Sequence, residues 1–127
     1  MAADEPGSGD RAMPSIFHIV AEPDWRAACA RGSYRPPSLE QEGFVHFSYR
    51  DQVARTANAR FRDRTDLLVV RIDPARLADP VIDEDLYGSD EEFPHVYGAI
   101  PTTAAVAEHR LSRGPGGEFR FEPDVSG

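Results

Sequence analysis

A chain of 127 residues with 22 acidic and 14 basic side chains has the length of one domain and a formal net charge of −8. That excludes two self-standing cores and opposes sequence-independent binding to nucleic-acid phosphates or anionic lipid. All 14 basic residues are arginine, so chemistry that needs a lysine ammonium, such as Schiff-base catalysis or a lysine P-loop, is excluded too.

The ends of the chain are poor in apolar residues and rich in glycine and proline, which predicts a disordered N-terminal tail over 1–14, one domain over 15–113 and a disordered C-terminal tail over 114–127. The opening stretch lacks the basic and apolar regions of a secretion signal, no apolar run is long enough to span a membrane, and Cys29 has no second cysteine to pair with. A cytoplasmic protein is the expectation.

Ile16 to Val20 reads as a strand, and Glu22-Pro23-Asp24 as the start of a helix that Gly32 stops. Trp25, Ala28 and Cys29 fall on one face of that helix, which makes Cys29 a core residue. Residues 33–43, with Pro36-Pro37, read as a loop leading to a strand over Phe44 to Ser48, where Ser48 caps the next helix. Val53, Ala57 and Phe61 give that helix its apolar face. Leu67 to Ile72 is a third strand, residues 74–79 form a helical turn, and Val81-Ile82 opens a brief strand. Asp83 to Glu92 is then an acidic surface turn, the alternative being a segment that lids a site or engages a partner. His95 to Ile100 and Ala104 to Leu111 complete the strands of a single α+β domain with two early helices.

Side chains alternate across a strand, so His18 shares a face with Ile16 and Val20, His46 with Phe44 and Ser48, and His95 with Tyr97. A single strand histidine is ordinarily a half-buried imidazole satisfied by a nearby carbonyl. Three on separate strands point further, because an interior that only needed filling would use valine or leucine. The expectation is that His18, His46 and His95 converge on a polar pocket with Ser48 and Tyr97, floored by aromatics such as Phe44. His109 is expected at the surface, and Arg35, in the proline-rich loop, is the arginine best placed to read a phosphate or carboxylate, with Arg50 next.

Such a pocket suits several chemistries. Imidazoles and hydroxyls can hold ribose hydroxyls while an aromatic ring stacks on a planar base, which makes a nucleotide site. Three imidazoles can also hold a hydrolytic zinc, although no HxH or HExxH spacing occurs and no metal is expected. A Ser48-based hydrolase lacks the GxSxG elbow.

The motifs IFHIV, EGFVHFS leading into a helix, and FPHVYGAIP after an acidic loop resemble a bacterial family catalogued as domain of unknown function 952, over about Ile16 to Val106. The order is similar, more distantly, to the ADP-ribosyltransferase fold, a split β-sheet that grips NAD through one polar residue on each of three strands. That resemblance implies that His18 holds the nicotinamide ribose and that His46 and Ser48 line the leaving-group side. His95 and Tyr97 would close the reacting end. Where transferring members carry a glutamate, this chain has His95, with Glu92 three residues earlier, and Ile19 stands where a glycine usually follows the first histidine. The pattern looks closer to the branch with the RNA 2′-phosphotransferases. It implies NAD or an ADP-ribose-type nucleotide as small-molecule partner and transferase chemistry with His18, His46 and His95 as catalytic groups. The alternative is a non-enzymatic binding or interaction module using the same pocket.

Overall fold

The computed structural model describes residues 14–123. The expected disorder of the N-terminal tail therefore lies almost wholly outside the described residues. The central sheet is built from β1 (Ile16–Ala21), β4 (Leu67–Ile72) and β8 (Ala105–His109), antiparallel in the order β1-β4-β8. β4 is almost wholly apolar because it is central and covered on both faces. Ile16, Val20, Leu68, Val70 and Ile72 pack on one side, Phe17, Ile19 and Val69 on the other.

Two helices cover these faces. α1 (Glu22–Arg31) has Pro23 in its first turn and ends at Gly32, whose left-handed φ of 83° lets its N–H reach the carbonyls of Ala28 and Cys29. It buries Trp25 and Ala28 beside the first cluster, and the Trp25 indole N–H donates to Glu108 on β8 at 3.1 Å. Cys29, expected in the core, is exposed. It lies past the edge of the narrow buried stripe that Trp25 and Ala28 define.

The expected loop over 33–43 is structured instead: β2 (Ser33–Tyr34) pairs with β7 (Ile100–Pro101), and α2 (Pro37–Gln41) begins on Pro37. A proline at the first helical position has no N–H of its own to leave unsatisfied and its fixed φ suits a helix, so Pro36-Pro37 marks a helix entry as well as a loop. α3 (Val53–Arg60), preceded by a 3-10 turn at Arg50–Gln52, lays Val53 and Ala57 against the second cluster. Ser48 does not cap it. Its hydroxyl donates to Thr56 Oγ1 at 3.3 Å, while the Gln52 side chain accepts from the Tyr49 N–H at 2.9 Å.

A second sheet has the order β3 (Val45–His46), β6 (Phe93–Val96), β5 (Val81–Glu84), again antiparallel. The strand expected from His95 to Ile100 thus breaks after Val96 and resumes at Ile100 in another sheet. The chain after β3 links the two larger sheets. Val45 and His46 face Val96 and His95, the Phe47 N–H bonds the Pro94 carbonyl at 3.0 Å, and Ser48 exchanges both backbone hydrogen bonds with Phe17 at 2.8 Å. All the paired strands are antiparallel, and the whole is one α+β domain.

The fold runs past Arg113. β9 (Ser112–Arg113) and β10 (Phe119–Arg120) form a hairpin that buries Phe119, and Asn58 on α3 clamps it by donating to the Phe119 carbonyl and accepting its N–H. Glycine-rich composition over 114–117 predicts a tail, but two aromatic side chains beyond it, Phe119 and Phe121, supply the apolar surface that anchors the hairpin. Residues 124–127 lie outside the described residues.

Candidate functional site

A cleft of about 180 Å³ opens where β1 faces the second sheet. One wall is Phe17-His18-Ile19 of β1. The other carries His46, Phe93 and His95, and the lining also includes Phe47-Ser48, Arg60-Phe61 and the segment Glu84 to Tyr87. The three strand histidines therefore border one hollow, together with Ser48.

His18 spends both of its nitrogens. Its Nδ1–H donates to the His46 carbonyl at 2.6 Å, which sets the tautomer because a carbonyl only accepts, and its Nε2 accepts from the Tyr34 hydroxyl at 2.6 Å. Burial holds the ring neutral, with a pKa lowered to about 4. His18 is thus a strut between β1, β2 and β3, with no ring nitrogen left for a ligand in this arrangement.

His46 and His95 are built differently. They are directly opposed across β3 and β6, their rings 5.4 Å apart and edge to face. His95 is 1% exposed and stacks on Phe44 at 4.3 Å. Its Nδ1 lies 2.9 Å from Glu84 Oε1, and the Tyr97 hydroxyl donates to the same oxygen at 2.7 Å. Those donors, Tyr97 first, hold the Glu84 carboxyl below its ordinary range. An ionised carboxylate only accepts, so His95 carries its hydrogen on Nδ1 and leaves Nε2 without a partner among the described residues. His46 repeats the plan. Its Nε2–H donates to Glu42 Oε1 at 2.7 Å, the Tyr87 hydroxyl donates to Glu42 Oε2 at 3.1 Å, and Nδ1 has no partner among the described residues. Hydrogen bonding from His46, then from Tyr87, keeps the Glu42 carboxyl low.

Each open imidazole is therefore backed by a carboxylate that also receives a phenol. This fixes the tautomer and the orientation of the ring, the condition for an imidazole to exchange protons with a bound molecule.

The other expected site residues are placed less directly. Phe44 lies behind the histidines as their packing floor, within 5.2 Å of the rings of His46, His95 and Tyr97. Tyr97 is exposed and acts on His95 only through Glu84. Arg35 is exposed and absent from the lining, and Arg60, at the end of α3, is the arginine that reaches it. Glu92 is exposed, offering its carbonyl to Gln52 at 2.9 Å, and the carboxylates that line the cleft are Glu84 and Asp85. His109, expected at the surface, is half-buried: its Nε2 is covered and has no partner among the described residues, and its ring lies between those of Phe17 and Phe121.

Glu42, Glu84, Tyr34, Tyr87 and Arg60 escape the sequence reading. The acidic stretch 83–92 reads as solvated, yet Glu84 through Tyr87 form part of the cleft. The alternation of Ile82 and Glu84 in β5, on the face that Ile82 shares with His95, is the signal that marks Glu84.

The histidines do not assemble a zinc site. Among the described residues no group of three His, Cys, Asp or Glu is arranged to hold a metal ion. Both nitrogens of His18 being engaged is the physical reason the three imidazoles cannot act as one ligand set. No helix among the described residues is long and apolar enough to cross a membrane.

The model of the family described as "Protein of unknown function (DUF952)" matches residues 19–108. The chain belongs to the DUF952 family. The match begins at Ile19, half-way along β1 and one residue after His18, and spans all of β3, β5 and β6, hence the cleft histidines His46 and His95 with their carboxylates. This DUF952 protein is similar in fold to the crystal structure of protein CC0527 from Caulobacter crescentus, with a TM-score of 0.72 and 25% identity over 84% of this chain and 93% of that one. The solution structure of CC0527 aligns with a TM-score of 0.61 and 23% identity over 82% and 90% of the two chains. No curated protein matches the sequence.

Proposed function

We propose that this DUF952 protein binds NAD or a related ADP-ribose compound at the cleft, with the nicotinamide ribose end inside, and that His95 is its acid–base group. The observation that carries the reading is the unpartnered Nε2 of His95, in a ring whose tautomer Glu84 and Tyr97 hold from behind. Three further features support it. Phe17, Phe47, Phe61, Tyr87 and Phe93 give the lining an aromatic character suited to a planar ring. Glu84 and Asp85 on the wall suit a pyridinium cation, and the positive charge that develops on a ribose as its N-glycosidic bond breaks. The volume of about 180 Å³ is below the ~300 Å³ at which sites for larger ligands begin, so it accommodates one end of the compound, and the adenylate lies outside.

The reaction that fits is substitution at the anomeric carbon. The C1′–N bond to nicotinamide breaks with its electron pair leaving on nicotinamide, an acceptor hydroxyl forms the new C1′–O bond, and its proton passes to Nε2 of His95. His18, locked and neutral, shapes the wall; a role on the ribose hydroxyls would require it to give up the Tyr34 hydroxyl.

Titration with NAD, ADP-ribose and nicotinamide, followed by residue-resolved NMR, tests the binding. Shifts are expected at His18, His46, Tyr87 and His95, and His95→Gln should keep binding while losing nicotinamide release. Absence of any shift at millimolar ligand would overturn the reading. Binding of NAD with no nicotinamide release in the presence of water or alcohol acceptors would instead favour a binding module.

A further inference from the structure

The hydrogen-bonding groups around the cleft are unevenly spent. Glu42 receives His46 and Tyr87, Glu84 receives His95 and Tyr97, and Asp85 accepts the N–H groups of Ser89 and Asp90 at 3.0 and 2.9 Å. The acceptors at the cleft are thus largely engaged from within the protein. On the donor side one strong group is not. Arg60 ends α3, lines the cleft and is exposed. Its guanidinium carbon sits 5.9 Å from the centre of the Tyr87 ring, a cation–π contact that positions the group without using its N–H donors. No hydrogen bond or ion pair engages those donors among the described residues.

The contrast with Arg55, on the same helix, is direct. Arg55 is held by both oxygens of Glu91 at 2.7 and 2.6 Å, which pulls the Glu91 carboxyl down to about 2. α3 therefore presents two arginines toward residues 85–92. One spends its N–H donors in a fork-to-fork pair; the other, whose charge helps to lower the Glu42 carboxyl without a direct ion pair, stands at the cleft with its donors open. A planar fork of N–H donors matches the paired oxygens of a phosphate or carboxylate.

We infer that Arg60 is the specificity-determining residue of the cleft and reads an oxyanion, a phosphate or carboxylate, on a ligand whose ring occupies the hollow. The inference deepens the reading of the cleft as a nucleotide site and rests on it for the identity of the ring. It narrows the preferred ligand to a phosphorylated or carboxylated ring compound over its neutral counterpart.

Matched pairs of ligands separate the two oxyanions. Nicotinamide mononucleotide against nicotinamide riboside isolates the phosphate, and nicotinic acid against nicotinamide isolates the carboxylate. Calorimetry on the full chain should show about tenfold or more tighter binding of the anionic member of at least one pair, with the preference weakening at high salt and vanishing in Arg60→Gln. Equal affinities within both pairs, or a preference that survives in Arg60→Gln, would overturn it.

Ribose 5-phosphate supplies the arm that does not depend on nicotinamide. If no nicotinamide compound binds while ribose 5-phosphate shifts the Arg60 side-chain N–H and the Tyr87 ring in NMR, the nucleotide reading fails and the oxyanion site stands. If ribose 5-phosphate is silent as well, the oxyanion site is overturned too.

Discussion

His18 and His95 face each other across one cleft, on β1 and β6, each among apolar strand neighbours. Their nitrogens are spent in opposite ways. His18 bridges the His46 carbonyl and the Tyr34 hydroxyl and has nothing left to offer, whereas His95 anchors one nitrogen on Glu84 and keeps the other open. Residue type is the same on the two walls, and the half-buried ring is His18 while the fully buried one is His95, so burial alone would not pick out the open nitrogen. Hydrogen-bond accounting separates a histidine that ties strands together from one that can act on a ligand.

The largest effect should come from the strut. His18→Ala leaves the Tyr34 hydroxyl and the His46 carbonyl without their partner and removes ring contacts with Tyr34 and Phe47. A loss of about 2–4 kcal/mol in urea unfolding is expected. A loss under about 1 kcal/mol would mean that His18 is not structural, and the contrast with His95 would dissolve.

Acid sharpens the same contrast. The folded-state pKa of His18 is about 4, against 6.5 for an unperturbed histidine, so the unfolded chain takes up this proton first as pH falls. The contribution is complete above pH 6.5 and is lost progressively toward pH 4, at up to about 1.4 kcal/mol per pH unit. His18→Gln should flatten the stability profile in that window. His109, lowered by burial and by the charges of Arg71 and Arg50, accounts for part of the slope that persists. An unchanged profile in His18→Gln would show that the ring is not held neutral.

A smaller effect, of opposite sign, is expected at His109. Its buried Nε2 has no partner among the described residues, so His109→Phe, which keeps a ring against Phe17 and Phe121, should stabilise the protein by up to about 1 kcal/mol in the same assay. Smallest is Cys29→Ser, within about 0.5 kcal/mol, because the thiol is exposed. A larger cost there would place the thiol in the core after all.

What could be read from the chain follows the range of the physics involved. The alternation that puts His18 with Ile16 and Val20, and the spacing that puts Val53 and Ala57 on one helix face, are local and appear as expected. Pairing is not local. That His46 lies opposite His95, and that Glu84 comes within reach of it, depends on the register of β3, β6 and β5, which no single segment encodes. Glu42 and Tyr34 escape for a related reason: the Pro36-Pro37 pair suggests a loop, and only the tertiary pairing of β2 with β7 shows what Tyr34 can reach. Composition misled at both acidic and glycine-rich stretches, because the average of a segment conceals one residue that turns inward, as Glu84, Phe119 and Phe121 do.

The most direct test is long-range proton–nitrogen NMR of the imidazole rings, which reports which nitrogen of each neutral ring carries the hydrogen. His18 and His95 should both be protonated at Nδ1 and His46 at Nε2, and Glu84→Gln should disturb the tautomer of His95 while leaving that of His18 unchanged. A neutral His95 protonated at Nε2 in the unaltered protein would contradict the account, because the nitrogen assigned to act on the ligand would then be the one without a lone pair.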